Sequence, residues 1–432
     1  MYNSIHKNSS IFLFLIASFF IIPKQVKATH AAGGEITYQW ISGSTYKINY
    51  IFYRDCAGAG EPATVTLAYS SNCTPSFCST ITLNKAATTS SGAINGTEVS
   101  IGCPNSPSRC VSASSTIPGY REWVYTANVT LPNQCSIWKF YTCVNARNNA
   151  INNLVTPGGQ NLYVEATLNN LVAQGNSSPF FANKPTPYVC TGSPLNYSNV
   201  AIDPNNDSLV YDLIQPRTSS TFTASCATVP TNINFSSTIY NLSTNPLDCN
   251  NTFSFNPSNG QMSFTATNQQ VAALTARVRE YRNGVLIGSI IRDIQVIVRN
   301  CINSISIPNF RLDTSSITGG SWVGNRIENC GGNPFTFCIS SKTTTPNAKI
   351  VISSNNAISA PGSTVSYTGQ WSDSVRACFS WTPSALDTGL KAISFTIKDS
   401  TCTTPNTIPI IQTYIIPVFI TPVTQIIKDT VL

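Results

Sequence analysis

The chain reads as an all-β protein of three tandem Ig-like β-sandwiches stapled by disulfides, and three observations predict it. Apolar and aromatic residues recur at every second position through most of the length, and no segment shows a capped helical period. Ser, Thr and Asn are abundant while only 10% of residues are charged, a composition that suits half-buried strands better than helices. Fifteen cysteines follow an export-type N-terminus, which implies an oxidising compartment.

The N-terminus predicts a signal peptide over residues 1–28. Lys7 supplies the positive region, Ile11 to Ile22 the apolar stretch, and Val26-Lys27-Ala28 the small residues for cleavage before Thr29. Twelve apolar residues fall short of the roughly 20 needed to span a bilayer, so no transmembrane segment is expected after cleavage. An uncleaved N-terminal anchor is the alternative. The expected location is secreted or cell-surface. Lys7, Lys24 and Lys27 leave with the signal, so the +7 of the full chain falls to 22 basic against 18 acidic residues. These charges are scattered rather than clustered, which excludes a nucleic-acid partner.

Strands follow in order. Ile36, Tyr38 and Trp40 alternate with polar neighbours, Ser42-Gly43-Ser44 turns the chain, and Tyr46, Ile48, Tyr50 and Phe52 alternate again, which predicts a hairpin with one aromatic face. Trp123 to Leu131 and Leu162 to Leu168 keep the period of two. Ala276 to Tyr281 and Val285 to Val298 flank Arg282-Asn283-Gly284, and Asn-Gly is a strong short hairpin signal. Ile408 to Ile420 contains Pro409 and Pro417 and reads as a final strand.

The cysteines fall into groups of seven, four and four, separated by Pro- and Ser-rich stretches near 172 and 301. The expected domains are 29–172, 173–300 and 301–421, with 422–432 a tail or the start of a further module. The last two segments share a faint pattern, Phe253-Ser-Phe255-Asn-Pro257 and Phe379-Ser-Trp381-Thr-Pro383, each ahead of a long strand. Even counts in these segments predict bridges that close within a segment. Cys73 with Cys78 and Cys103 with Cys110 are spaced for local pairing. Cys135 and Cys143 frame a strand-like stretch of about 26 Å, too long for one to reach the other. Seven cysteines in the first segment leave one free, paired across segments, or joined to another chain.

Several phrases resemble a known group. Ala32-Gly-Gly-Glu-Ile-Thr-Tyr38 with Tyr50-Ile-Phe-Tyr-Arg-Asp-Cys56, then Arg147-Asn-Asn-Ala-Ile-Asn-Asn-Leu154, is similar to the N-terminal module of secreted Bacteroidetes surface proteins. Val278 to Val296 (VREYRNGVLIGSIIRDIQV), and Trp381-Thr-Pro383 with Phe395 to Asp399 and Cys402, resemble later parts of the same proteins. The group is the gliding-motility-associated, PKD-like-domain surface proteins. The resemblance implies a non-catalytic structural or adhesive role. This chain departs from the pattern in two ways: Cys135 and Cys143 are single where paired cysteines are usual, and Lys428-Asp-Thr-Val-Leu432 does not resemble the usual C-terminal sorting domain.

Chemistry has few candidates. His30 is the only histidine beyond the signal, so the usual base and metal ligand are missing from the body of the chain. There is no Cys-x-x-Cys, phosphate loop or nucleophile elbow. Asp203-Pro-Asn-Asn-Asp207 is the sharpest motif. Asp203, Asn205 and Asp207 are oxygen donors at alternate positions and can converge on Ca²⁺. The same residues also make an ordinary Asx/Pro turn, which the sequence favours. Glu35, Asp55, Glu122, Glu165, Glu280 and Asp293 lie on or beside strands with Arg or Lys nearby, and structural pairing is expected for them. Among the six tryptophans, Trp40, Trp123 and Trp381 are expected in the core and Trp322 and Trp371 at the surface. No cofactor other than calcium is suggested. The expected partners are an extracellular polysaccharide or other cell-surface proteins. The rival reading is a secreted polysaccharide-binding or polysaccharide-degrading protein.

Overall fold

The computed structural model describes residues 31–89, 91–99, 106–185, 188–220, 229–301, 308–401 and 408–422. The signal and its cleavage site, His30, Cys103, Cys226, Cys402 and the C-terminal residues lie outside these. Within them the chain is all-β, with stacked sheets and four described disulfides, as the alternation and cysteine count predict.

The first segment holds β1 (Ala31–Ser42), β2 (Thr45–Asp55), β3 (Thr64–Ser71), β4 (Phe77–Lys85), β5 (Tyr120–Thr130), β6 (Trp138–Val144) and β7 (Leu162–Leu168). The second holds β8 (Phe180–Phe181), β9 (Tyr188–Cys190), β10 (Pro194–Ser198), β11 (Ala201–Ile202), β12 (Ser208–Ile214), β13 (Arg217–Thr218), β14 (Thr231–Asn232), β15 (Ser254–Phe255), β16 (Gln261–Thr265), β17 (Gln270–Arg282) and β18 (Val285–Arg299). The third holds β19 (Arg311–Thr318), β20 (Ser321–Val323), β21 (Arg326–Cys330), β22 (Phe335–Lys342), β23 (Ile350–Ser354), β24 (Thr364–Thr368), β25 (Ser374–Trp381), β26 (Gly389–Asp399) and β27 (Ile410–Thr421).

The predicted aromatic hairpin is β1–β2, in the register Ile36↔Tyr50, Tyr38↔Ile48 and Trp40↔Tyr46. Its inward side chains pack with Tyr125, Trp138 and Phe140 in the largest core. The sheet β1-β2-β5-β4-β3-β6-β7 curls until both of its edges meet β18: β7 pairs with Gly288–Ile290, and β1 pairs with Arg292–Ile294. Gly33 permits that second contact, because a Cβ there would stand 2.5 Å from the carbonyl oxygen of Asp293. The other edge of β18 pairs along its length with β17 through a turn at Asn283 (φ 52°) and Gly284 (φ 79°), the left-handed pair that Asn-Gly supplies.

The loop at residue 172 is therefore not a break in the sheet. β17 and β18 close the first segment and also carry the second core, in which Ala272, Leu274, Ile294 and Val296 pack with Leu195 and Phe264 of the small sheet β10-β16-β15 and with Phe253 just ahead of β15. Two chain segments distant in sequence share one ribbon. The third segment has its own two sheets, β19-β22-β25-β24 and β20-β21-β27-β26-β23, around Phe337, Phe379, Phe395 and Trp381.

β18 is held on both faces by buried charge. Arg292 and Asp293 are adjacent and so project to opposite faces. Arg292 pairs with Glu35 of β1 and donates to the carbonyl of Asn183 at 2.7 Å. Asp293 accepts two bonds from Arg147, both at 2.7 Å, and a third from the hydroxyl of Thr275, also at 2.7 Å. All four charged residues are at most 5% exposed.

The bridges are Cys56–Cys110, Cys73–Cys135, Cys190–Cys301 and Cys338–Cys378. The two local pairings expected from spacing, Cys73 with Cys78 and Cys103 with Cys110, do not form. β3 and β4 carry Cys73 and Cys78 to different neighbours, and Cys73 meets Cys135 at the start of β6. Cys135 and Cys143 are not joined to each other, as strand length requires. Cys143, Cys249 and Cys330 are free thiols. Cys338 and Cys378 face each other across β22 and β25 of one sheet. Disulfides in this number indicate an extracytoplasmic protein. No helix among the described residues is long and apolar enough to cross a membrane.

Arg147→Met should destabilise the fold by about 3–5 kcal/mol, because it leaves the Asp293 carboxylate buried without its cation. The double variant Arg147→Met/Asp293→Leu should cost clearly less than the sum of the two single changes, measured by chemical denaturation with disulfides intact. Non-reducing peptide mapping should return the four bridges named above. Replacing both Cys190 and Cys301 by Ala should cost about 2–5 kcal/mol.

Candidate functional site

The Asp203–Asp207 turn joins β11 to β12. Asp203 Oδ1 accepts the backbone N–H groups of Asn205 at 2.8 Å and Asp207 at 2.9 Å, and Asn206 sits in the left-handed region at φ 62°. These are the bonds of an Asx turn. The pairing of β12 with β17 sets Ser208 opposite Tyr281 and Leu209 opposite Glu280, which brings Glu280 and Arg282 to the turn.

The result is a cluster of Asp203, Asp207 and Glu280, with one carboxylate oxygen of each within 4.8 Å of the others. Asn205, expected to be the third donor, lies outside it. Its side-chain oxygen accepts the backbone N–H of Ser177 at 2.9 Å. Asp207 is clamped by Arg282 through two bonds, at 2.8 and 2.6 Å. Arg282 also donates to Asn176 at 2.7 Å, and Asn176 donates to Glu280 Oε1 at 2.8 Å. Two buried oxygens, Asp203 Oδ2 and Glu280 Oε2, have no donor.

Calcium needs six to eight oxygens. Arg282 already engages Asp207, and backbone N–H groups occupy Asp203 Oδ1. The free oxygens of Asp203 and Glu280 fit a shared proton without any further ligand. Burial first, and then the negative charge of Asp203, push the Glu280 carboxyl well above its ordinary range. Burial also raises Asp203. Glu280 and Arg282 are over 70 residues from the turn in sequence, so only the strand register reveals them.

Beside the turn lies a cleft of about 820 Å³ between the second and third segments, lined by Phe180, Leu209, Leu390 and Phe419 among others. Lys391 reaches across to the side-chain oxygen of Asn206 at 2.6 Å. Gln412 fastens the same two segments through Asn196 at 2.6 Å and the carbonyl of Pro194 at 2.7 Å.

The other singled-out carboxylates are engaged structurally. Glu35 pairs with Arg292, Glu122 with Lys184, Glu165 with Arg217 and Lys139, and Asp293 with Arg147. Asp55 accepts from Ala57 N–H and Asn148. Of the six, Glu280 is the one set against other carboxylates. Trp381 is buried, and Trp322 (39%) and Trp371 (61%) are exposed, as expected. Trp40 was expected in the core but is 42% exposed, because β1 runs past the core to the hairpin end. Trp123 is half-buried under Lys85, whose ammonium stands 4.4 Å from the ring centroid.

No family model and no curated protein matches this chain. Among solved structures it is similar to protocadherin gamma B2 extracellular cadherin domains 1–5, at 8% identity over 84% of this chain and 66% of that one, with a TM-score of 0.19. It is also similar to S-layer protein SbsC domains 4 and 5, at 13% identity over 54% of this chain and 99% of that one, with a TM-score of 0.15. A third is an endo-fucoidan hydrolase of glycoside hydrolase family 107, at 11% identity over 70% of this chain and 36% of that one, with a TM-score of 0.16. At such scores these likenesses carry no functional weight, and the chain's own residues decide the reading.

A raised carboxyl pKa has a definite sign. The proton held by folded Glu280 stabilises the fold fully below the ordinary value of 4.5, and that stability is lost as pH rises from there towards the folded value. Melting temperature should therefore fall as pH rises from 5 towards alkaline. Glu280→Gln should flatten that slope, since the amide never ionises. Calcium should give no rise in melting temperature beyond an ionic-strength control. A calcium-specific rise lost in Asp203→Asn would instead assign the cluster to the metal.

Proposed function

We propose that this chain is a non-catalytic structural or adhesive protein, exported to the surface of a gliding-type bacterium, that holds a binding face away from the cell. The observation that carries this reading is the engagement of its acidic side chains. The carboxylates of β1, β5, β7 and β18 are tied to cations contributed by other strands and loops, and they brace the sheets rather than face a substrate. Glu280, the carboxylate with the most altered acidity, is fully buried and cannot reach a solvent-borne bond.

The partners that fit are an extracellular polysaccharide or another cell-surface protein. A sugar-degrading or sugar-stacking role would call for aromatics in a row beside free carboxylates. The exposed tryptophans of the third segment are instead far apart. Trp322 pairs with Ile327 beside Val418, whereas Trp371 bonds to Ile350, whose strand neighbours lead to Ile410. Eight residues along β27 separate those ends by about 26 Å.

Purified protein should show no turnover on polysaccharides, peptides or esters while still being retained on a cell or polymer surface. Turnover abolished by a single Asp or Glu change would overturn the reading. Retention on a polysaccharide gel that is lost in both Trp322→Ala and Trp371→Ala would favour the sugar-binding alternative.

A further inference from the structure

One end of the first segment carries an apolar surface that its own core does not cover. Trp40 and Ile41 end β1, Leu171 and Val172 follow β7, and Val285 and Leu286 open β18. Each is between 42% and 57% exposed. Hydrogen bonds knit the three loops together. The Asn169 N–H donates to the carbonyl of Ile287 at 2.7 Å, the Trp40 N–H to Ser177 Oγ at 3.0 Å, and Arg282 to Asn176 at 2.7 Å. The Trp40 indole also lies over Gly175. The six side chains thus belong to one end of the molecule.

From this surface we infer that the loop end of the first segment docks against the same end of a second copy of this chain. Residues 39–45, 169–175 and 283–288 contain no charged residue. Of the flanking cations, Arg282 is neutralised by Asp207, and Lys47 lies on β2 opposite Gln39, on the core side of Trp40. Two such ends can meet about a two-fold axis without opposing like charges, as an isologous contact requires. The indole N–H of Trp40 is satisfied by the carbonyl of Gly43 at 3.0 Å, so its ring can be covered without stranding a donor.

Area supports the same occupant. Six half-exposed side chains offer roughly 500 Å², the upper part of the range for the largest patch on a monomer. Two copies would bury about 1,000 Å², near the threshold for a specific interface. The tips are pre-shaped, since Gly43, Asn283 and Gly284 fix their turns in the left-handed region, which lowers the ordering cost of docking. A contact of this size gives a dimer that dissociates on dilution.

Sedimentation velocity on the full-length chain purified from an export compartment tests this. The weight-average mass should rise towards a dimer between about 1 and about 200 µM, as expected for an interface near the lower size limit. Leu286→Glu and Val172→Glu should each return it to monomer without lowering the melting temperature. Trp322→Ser, on another exposed apolar site, should leave the dimer intact. The dimer should survive Cys330→Ser, which removes the exposed thiol. A wild-type monomer throughout the range would overturn the inference. So would a dimer lost in Cys330→Ser, or one insensitive to both glutamate variants. Co-flotation with phosphatidylcholine vesicles that is abolished by Leu286→Glu, in a protein that stays monomeric, would assign the surface to lipid and equally overturn it.

Discussion

Everything in the first two segments hangs on the dipeptide Arg292-Asp293. β18 is the one strand that pairs with β1, β7, β9 and β17, and so it both closes the curled sheet and floors the second core. A strand in that position exposes both faces to protein, and neither face can return a charge to water. Arg292 is answered on one face by Glu35, and Asp293 on the other by Arg147 and Thr275. Buried pairs of this kind contribute little net stability over an apolar replacement but penalise any arrangement that separates them. Here they fix register: a one-residue slip of β18 would put each charge on the wrong face.

The acidic cluster obeys the same rule at the next boundary. Asp207 has its arginine, while Asp203 Oδ2 and Glu280 Oε2 have no donor, and a proton is the simplest bridge between them. The turn they occupy also meets Lys391 of the third segment at the mouth of the cleft. Local turn chemistry, strand register and the seating of the third segment therefore converge on a few residues.

Much of this was legible from residue pattern. The period of two located β1, β2, β5 and β7, and the apolar stretch with Pro409 and Pro417 located β27. The Asn-Gly of residues 283–284 located the β17–β18 turn, because few residues other than Asn and Gly accept two successive positive φ angles there. Strand length alone separated Cys135 from Cys143. The Asx turn at Asp203 followed from the side chains themselves. The readings that changed were the ones that depended on neighbours distant in sequence. Cys73 was nearest in sequence to Cys78 but nearest in space to Cys135, and Trp40 kept the alternation of its strand after the core had ended.

The sequence by itself determined several of the long strands, the Asn-Gly and Asx turns and an oxidising compartment, because alternation, turn chemistry and cysteine count act over a few residues or over composition as a whole. Only the tertiary structure decided that the first two segments share β18, that Glu280 replaces Asn205 beside Asp203, and that three separate loops form one apolar end. Those outcomes depend on which strand edges find each other. That choice is made by the summed burial of side chains from distant parts of the chain, and no local pattern of residues encodes it.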